Sequence, residues 1–265
     1  MKYKPVISAS RRTELLAFYP DYLCQRITEM GPENIHTLVV WTRDPSNLWE
    51  NRKIYDLLKR IDQVYVLLTL TGLAGTVLEP HSPPSDRIVE LLPKTIDFVN
   101  SPDRVAWRYD PLIEVNSLDG SSITNIEKRR FLELSETILP LEITRIITSG
   151  ATIYKKTDRN LRRFGLEVDP ALDEKAFEFT DSFLKPYCLQ RGIQLSTCVI
   201  PPSSNFGCID GRLLEKLHPQ NSSCSQARDR SQRDGCRCTK SIDIGQWFRC
   251  PHGCVYCYGN PKIEV

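Results

Sequence analysis

Short runs of β-branched and aromatic residues recur along the chain, at Val6-Ile7-Ser8, Leu38-Val39-Val40-Trp41, residues 64–70, Val105-Ala106-Trp107, residues 145–148 and residues 194–197. Each is apolar, short and bounded by polar or turn-forming positions, which is the pattern of a buried strand. Between them lie stretches with apolar residues at helical spacing: residues 48–61 after Asn47, 126–139 after Thr124, and 174–189 after Asp173. Asn, Thr and Asp at those positions suit the cap of a first helical turn. Alternating strand and helix predict an α/β fold with a parallel sheet, read here as a TIM-like partial (β/α) barrel of about six strands. A doubly wound open sheet is the alternative. Pro93 and Pro186 interrupt apolar-periodic segments and are expected to kink or end them.

Ligands of parallel α/β folds bind where the strands end, so the residues that follow each run matter most. After the first run, Ser8-Ala9-Ser10-Arg11-Arg12-Thr13 contains no glycine, which counts against a dinucleotide fold. The strand ends are polar instead: Ser8, Ser10, Arg11 and Arg12; Thr42, Arg43 and Asp44; Thr69 and Thr71; Arg108, Tyr109 and Asp110; Ser149; and Cys198. Arg11, Arg12, Arg43, Arg108 and Asp110 are the expected cofactor or substrate contacts. Guanidinium groups converging with a carboxylate fit a small anionic substrate, because they bind carboxylate or phosphate through directional pairs. The bland alternative is a structural ring in which these charges satisfy one another. Tyr154, Lys155 and Lys156 read equally well as rim residues or as a solvated helix start. No catalytic acid or base stands out.

Composition narrows the class. The 265 residues are 40 % hydrophobic and 26 % charged, enough apolar material for one sizeable core and too much for disorder. A formal charge of +2 gives nucleic acid no support. No apolar run approaches the roughly 20 residues that span a bilayer, and Met1-Lys2-Tyr3-Lys4-Pro5 does not open a signal peptide. A cytoplasmic protein is the expectation.

Ten cysteines in such a chain point to metal rather than to disulfides, because the cytosol keeps thiols reduced. Five of them, Cys236, Cys238, Cys250, Cys254 and Cys257, crowd near the C-terminus. The string Cys250-Pro251-His252-Gly253-Cys254-Val255-Tyr256-Cys257-Tyr258 has C-x3-C-x2-C spacing. Three thiolates on one tight loop can each hold an iron of a 4Fe-4S cluster and leave the fourth iron open. Zinc sites more often use paired C-x2-C units with a closed set of four, and His252 sits on too short a loop to complete one easily. Residues 1–200 are thus expected to form the barrel. Residues 201–265 are expected to be a cysteine-rich segment packed on its mouth within one structural domain.

This loop resembles that of the radical S-adenosylmethionine enzymes, with Tyr256 as the aromatic residue before the third cysteine. The likeness is closest to the spore-photoproduct-lyase-like branch. The resemblance implies that Cys250, Cys254 and Cys257 are cluster ligands and that the open iron chelates S-adenosylmethionine. It also implies an electron donor such as flavodoxin or ferredoxin. In most of that superfamily the loop follows the first strand, whereas here the barrel precedes it. A fuller resemblance is to an uncharacterised family of bacteria and archaea. It is carried by the segment Ile7 through Thr13, by Trp107-Arg108-Tyr109-Asp110-Pro111, by Gly207-Cys208-Ile209-Asp210 and by the segment Cys236 through Gly245.

A second group, Cys198, Cys208, Cys236 and Cys238, would close a metal site of four thiolates, a second cluster or zinc, with iron favoured as an electron relay. Otherwise these four are small buried hydrophobes. Cys24 and Cys188 fit core helices, and Cys224 falls in a polar linker. The leading expectation is an iron–sulfur enzyme that cleaves S-adenosylmethionine. Against it stand a non-radical iron–sulfur protein with Lewis-acid, sulfur-transfer or electron-transfer work, and a redox or metal-sensing module.

Overall fold

The structure is a computed structural model that describes residues 3–200 and 206–263. Its strands are β1 (Val6–Ala9), β2 (Thr37–Thr42), β3 (Val64–Thr69), β4 (Val105–Arg108), β5 (Glu114–Ser117), β6 (Ser122–Thr124), β7 (Arg145–Ser149), β8 (Leu166–Val168), β9 (Gln194–Cys198) and β10 (Ile242–Asp243). Seven of them form one curled parallel sheet, a half-barrel in the order β10-β1-β2-β3-β4-β7-β9. The six expected strands are all present. The seventh, β10, raises the count: Ile242 and Asp243 pair with Ile7 and Ser8.

Alternation along these strands buries both faces, as a covered parallel sheet requires. Ile7, Leu38, Val40, Val66, Leu68, Val105, Trp107 and Ile146 join the main core with helical residues such as Leu23, Ile27, Ile54, Leu92 and Phe131. Val39, Tyr65, Leu67, Ala106 and Ile147 point the other way. There they meet Ile209, Leu214, Cys224, Cys236 and Cys238. The C-terminal segment, with its helix Gly211–Leu217, therefore covers the face of the sheet opposite the main core. Cys24 and Cys188 lie in the main core as expected, but Cys224 is no linker residue: it is buried, and its thiol donates to Gly211 O at 3.3 Å.

Several helix boundaries differ from the sequence reading. Residues 48–61 split into helices Asn47–Glu50 and Arg52–Leu58, because Asn51 caps the second by accepting from Ile54 N at 3.2 Å. Asn47, the expected cap, instead donates its side-chain amide to Leu16 O. Helix Lys128–Ile138 starts later than expected; Thr124 accepts from Ile126 N ahead of it. Pro93 does not break helix Ser85–Val99, since its ring is on the exposed side where water can satisfy the freed carbonyl. Pro186 is accommodated by a π-helical turn, Thr180–Leu184, between helices Leu172–Phe179 and Lys185–Gln190. None of the described helices is long and apolar enough to cross a membrane.

A small antiparallel sheet, β6-β5-β8, was not anticipated. Val115 and Leu166 from it, with the adjoining Ile113, pack with Leu73, Leu78 and Leu161 around Val255 of the cysteine loop. It thereby anchors that loop at the end of the half-barrel.

Candidate functional site

One cavity of about 420 Å³ opens at the C-terminal ends of the parallel strands. Its wall includes Arg11, Arg12, Arg43, Arg108 and Asp110 together with all seven of the cysteines proposed as ligands. The topology explains this convergence, because parallel strands deliver their last residues to the same side.

The cysteine loop is a compact turn. Cys250 N donates to Asn260 O, and Lys262 N donates back to Cys250 O, both at 2.7 Å. Val255 N donates to Leu78 O at 3.0 Å and Cys257 N to Cys254 O at 3.0 Å. Gly253 adopts φ +67°, and a Cβ there would meet Lys262 O at 2.8 Å, so two separate constraints favour glycine. The N–H of Gly259 donates to Cys257 Sγ at 3.3 Å, and Ser82 Oγ is 3.8 Å from Cys254 Sγ. Burial pushes the Cys250 thiol up to about 11, helped by the nearby Glu14 carboxylate, and raises Cys254 and Cys257 as well. Burial thus disfavours the free thiolates, and binding of a cation would offset that cost. As they stand, no three His, Cys, Asp or Glu side chains among the described residues are arranged to hold a single metal ion. A cubane makes a different demand, since each thiolate then binds its own iron.

Two buried ion pairs support the loop from below. His252 Nε2 lies 2.5 Å from Glu14 Oε2. The other Glu14 oxygen accepts from Thr42 Oγ1, Arg43 N and Asp44 N. Burial alone would lower the pKa of His252 and raise that of Glu14; their mutual attraction reverses both, raising His252 and lowering Glu14. The second pair is bidentate: Arg43 Nη1 and Nη2 donate to Glu79 at 2.7 and 2.8 Å. Arg43 also donates to the Tyr256 hydroxyl at 2.8 Å, and that hydroxyl donates to Glu79. Arg43 thus lines the cavity with its guanidinium already committed to holding the loop.

The remaining arginines form the rim. Arg108 pairs with Asp110, donates to Thr69 Oγ1 at 2.7 Å and stacks on Trp41 at 4.7 Å. Arg11 lies 5.4 Å from the same ring and 3.7 Å from Asp243. Arg12 is half-exposed, donates to Gly245 O at 3.1 Å and lies over Trp247. Part of the rim is therefore the self-satisfied ring that the sequence allowed. Yet Arg108 Nε is a buried donor with no partner, and the rim guanidiniums outnumber Asp110 and Asp243. Tyr154 reaches the cavity wall, whereas Lys156 donates to Gly259 O and serves the loop. Glu14 and Glu79 escaped the sequence reading because neither ends a strand run or belongs to a motif.

Fold and site define a class: a parallel α/β half-barrel whose strand ends and C-terminal cysteines share one cavity. Within it the chain belongs to the family described as Domain of unknown function (DUF1848), whose model matches residues 6–259. A search among curated proteins gives no match.

Proposed function

We propose that the chain is an iron–sulfur enzyme in which Cys250, Cys254 and Cys257 hold a 4Fe-4S cluster at the cavity and S-adenosylmethionine binds beside it. The observation that carries this reading is the sharing of one cavity by three thiols of a tight loop and the polar ends of parallel strands. When bound and reduced, the cluster would supply the electron that cleaves S-adenosylmethionine.

The chain's own groups bind, orient and exclude water. Gly259 N–H donates to Cys257 Sγ and would stabilise its thiolate once a cluster is bound. Arg43 and Glu79 fix Tyr256 and so the approach of the loop. Arg108, with its unpartnered Nε, and the half-exposed Arg12 are the donors suited to a carboxylate, while Asp110 suits an ammonium group. The surplus of guanidinium on the rim favours an anionic small substrate. Val255 seats the loop in the core, whereas Cys250 and Cys257 are half-buried and reach the cavity.

The test is anaerobic purification followed by reduction with dithionite and addition of S-adenosylmethionine. Bound iron and sulfide, with slow release of methionine and 5′-deoxyadenosine that Cys254→Ala abolishes, is the expected result. Stoichiometric zinc without iron after reconstitution, or a cluster that S-adenosylmethionine does not perturb, would overturn it.

A further inference from the structure

Four thiols outside the signature loop also line the cavity. Cys198 ends β9, Cys208 follows Gly207, and Cys236 and Cys238 lie on one bend. The Pro201-Pro202 turn expected between the first two lies outside the described residues. Cys236 and Cys238 are buried in the cluster on the sheet face covered by the C-terminal segment, and Cys198 and Cys208 pack against it. The contacts close a ring: Cys198 touches Cys208 and Cys236, and Cys238 touches the same two, each pair within hydrogen-bonding reach. Ile209 N donates to Cys238 Sγ at 3.5 Å.

Bringing four thiols together, Cys236 and Cys238 buried and Cys198 and Cys208 half-buried, has no packing rationale that apolar side chains would not meet equally well. Two cations also face the ring. Arg233 donates from Nη2 to Cys198 Sγ at 3.6 Å, braced by Thr152 at 2.7 Å. Arg11 lies against Cys238. A thiol ring needs no counter-charge, but four thiolates around a divalent ion carry a net charge of about −2, which two guanidiniums offset.

We infer that Cys198, Cys208, Cys236 and Cys238 hold one zinc ion on the cavity wall, separate from the signature loop. Contact between the thiols decides between zinc and a second cluster. A single ion with Zn–S bonds of about 2.3 Å needs all four sulfurs about 3.8 Å apart; the thiols as they stand are not so arranged, and side-chain rotation at the four cysteines would have to bring them onto a common centre. A cubane would have to push the sulfurs apart. The backbone resists this, because a Cβ on Gly207 would stand 2.5 Å from the Arg237 and Cys238 main chain. Bound zinc would release the thiol protons and tie the end of β9, the Gly207 segment and the Cys236 bend into one wall. It would also fix Arg11 beside Trp41.

The four-thiol site does not depend on a cluster at the signature loop, so it is tested with that loop's cysteines removed. Full-length chain carrying C250A, C254A and C257A together is purified and its metals counted. About one zinc per chain, four Zn–S bonds near 2.3 Å in X-ray absorption and retention of zinc in an added Cys224→Ser variant are the expected results. A folded chain with no metal, iron with sulfide in place of zinc, or nitrogen and oxygen ligands on the zinc would each overturn the site. Adding Cys208→Ser should reduce zinc content at least fivefold. Should that variant not fold, the absorption spectrum of the parent with all four thiols intact decides the matter.

Discussion

Glu14 Oε2 and His252 Nε2 stand 2.5 Å apart, and this pair joins the end of the first strand–loop segment to the cysteine loop at the other end of the sequence. Both residues are buried, and Glu14 satisfies three further donors through its other oxygen. Glu14→Ala leaves all of them unpaired and should cost about 3–5 kcal/mol. Glu14→Gln keeps an acceptor for Thr42, Arg43 and Asp44 and should cost less than half as much. Urea denaturation of the metal-free protein compares the two; equal costs would mean that the interior backbone donors do not depend on Glu14.

Glu79→Gln tests the neighbouring pair. It strands the buried Arg43 guanidinium, whose two forked bonds and Tyr256 contact are built around a carboxylate. The expected loss is about 3–5 kcal/mol, because removing one partner of a buried pair leaves an uncompensated charge. Replacing Arg43 and Glu79 together by Leu and Met should recover part of that loss in the same denaturation measurement. A double variant no better than Glu79→Gln would show that the Arg43 charge is not the source of the cost.

Much of this arrangement was legible in the chain. Runs such as Leu38-Val39-Val40-Trp41 announce strands because both faces are buried, and Arg11, Arg108 and Asp110 could be placed together because parallel strands end on one side. What was hidden depends on partners distant in sequence. β10 is two residues long, too short for any period, and becomes a strand only beside Ile7 and Ser8. β5, with one buried residue in Glu114–Ser117, draws its stability from the cluster around Val255. The commitment of Arg43 to Glu79 joins a strand end to a loop with no motif, so only the fold could reveal it.

His218 supplies a pH dependence remote from the cysteines that line the cavity. Its ring packs on His36 at 4.3 Å, and its Nδ1 accepts from Gln220 N at 3.2 Å, which holds the ring neutral. Burial, with repulsion from His36, lowers its pKa from the usual 6.5, and the Asp62 carboxylate offsets this only in part. A depressed histidine contributes stability that is present above its unfolded pKa and is lost as pH falls through 6.5 toward the folded value. The melting temperature of the wild type should therefore fall more than that of His218→Gln between pH 7.5 and pH 5. Parallel decline of the two proteins would mean that His218 takes up its proton without cost.

Arg108 is the residue that best separates binding from scaffolding. Its ion pair with Asp110, its bond to Thr69 and its stacking on Trp41 hold the guanidinium at the cavity wall while Nε remains buried and without a partner. A ligand carboxylate could use that donor, and no cysteine depends on it. Arg108→Lys keeps the charge but loses the planar fork and the orphaned Nε–H. Under the proposed activity it should slow 5′-deoxyadenosine release about tenfold, or about 1.4 kcal/mol in the barrier, with iron and sulfide content unchanged. Arg108→Ala should slow it further and weaken the stacking on Trp41, seen as a shift in the tryptophan fluorescence. Unchanged turnover in both variants, with cluster content intact, would assign Arg108 to the structural ring alone and leave Arg12 as the rim donor to test next.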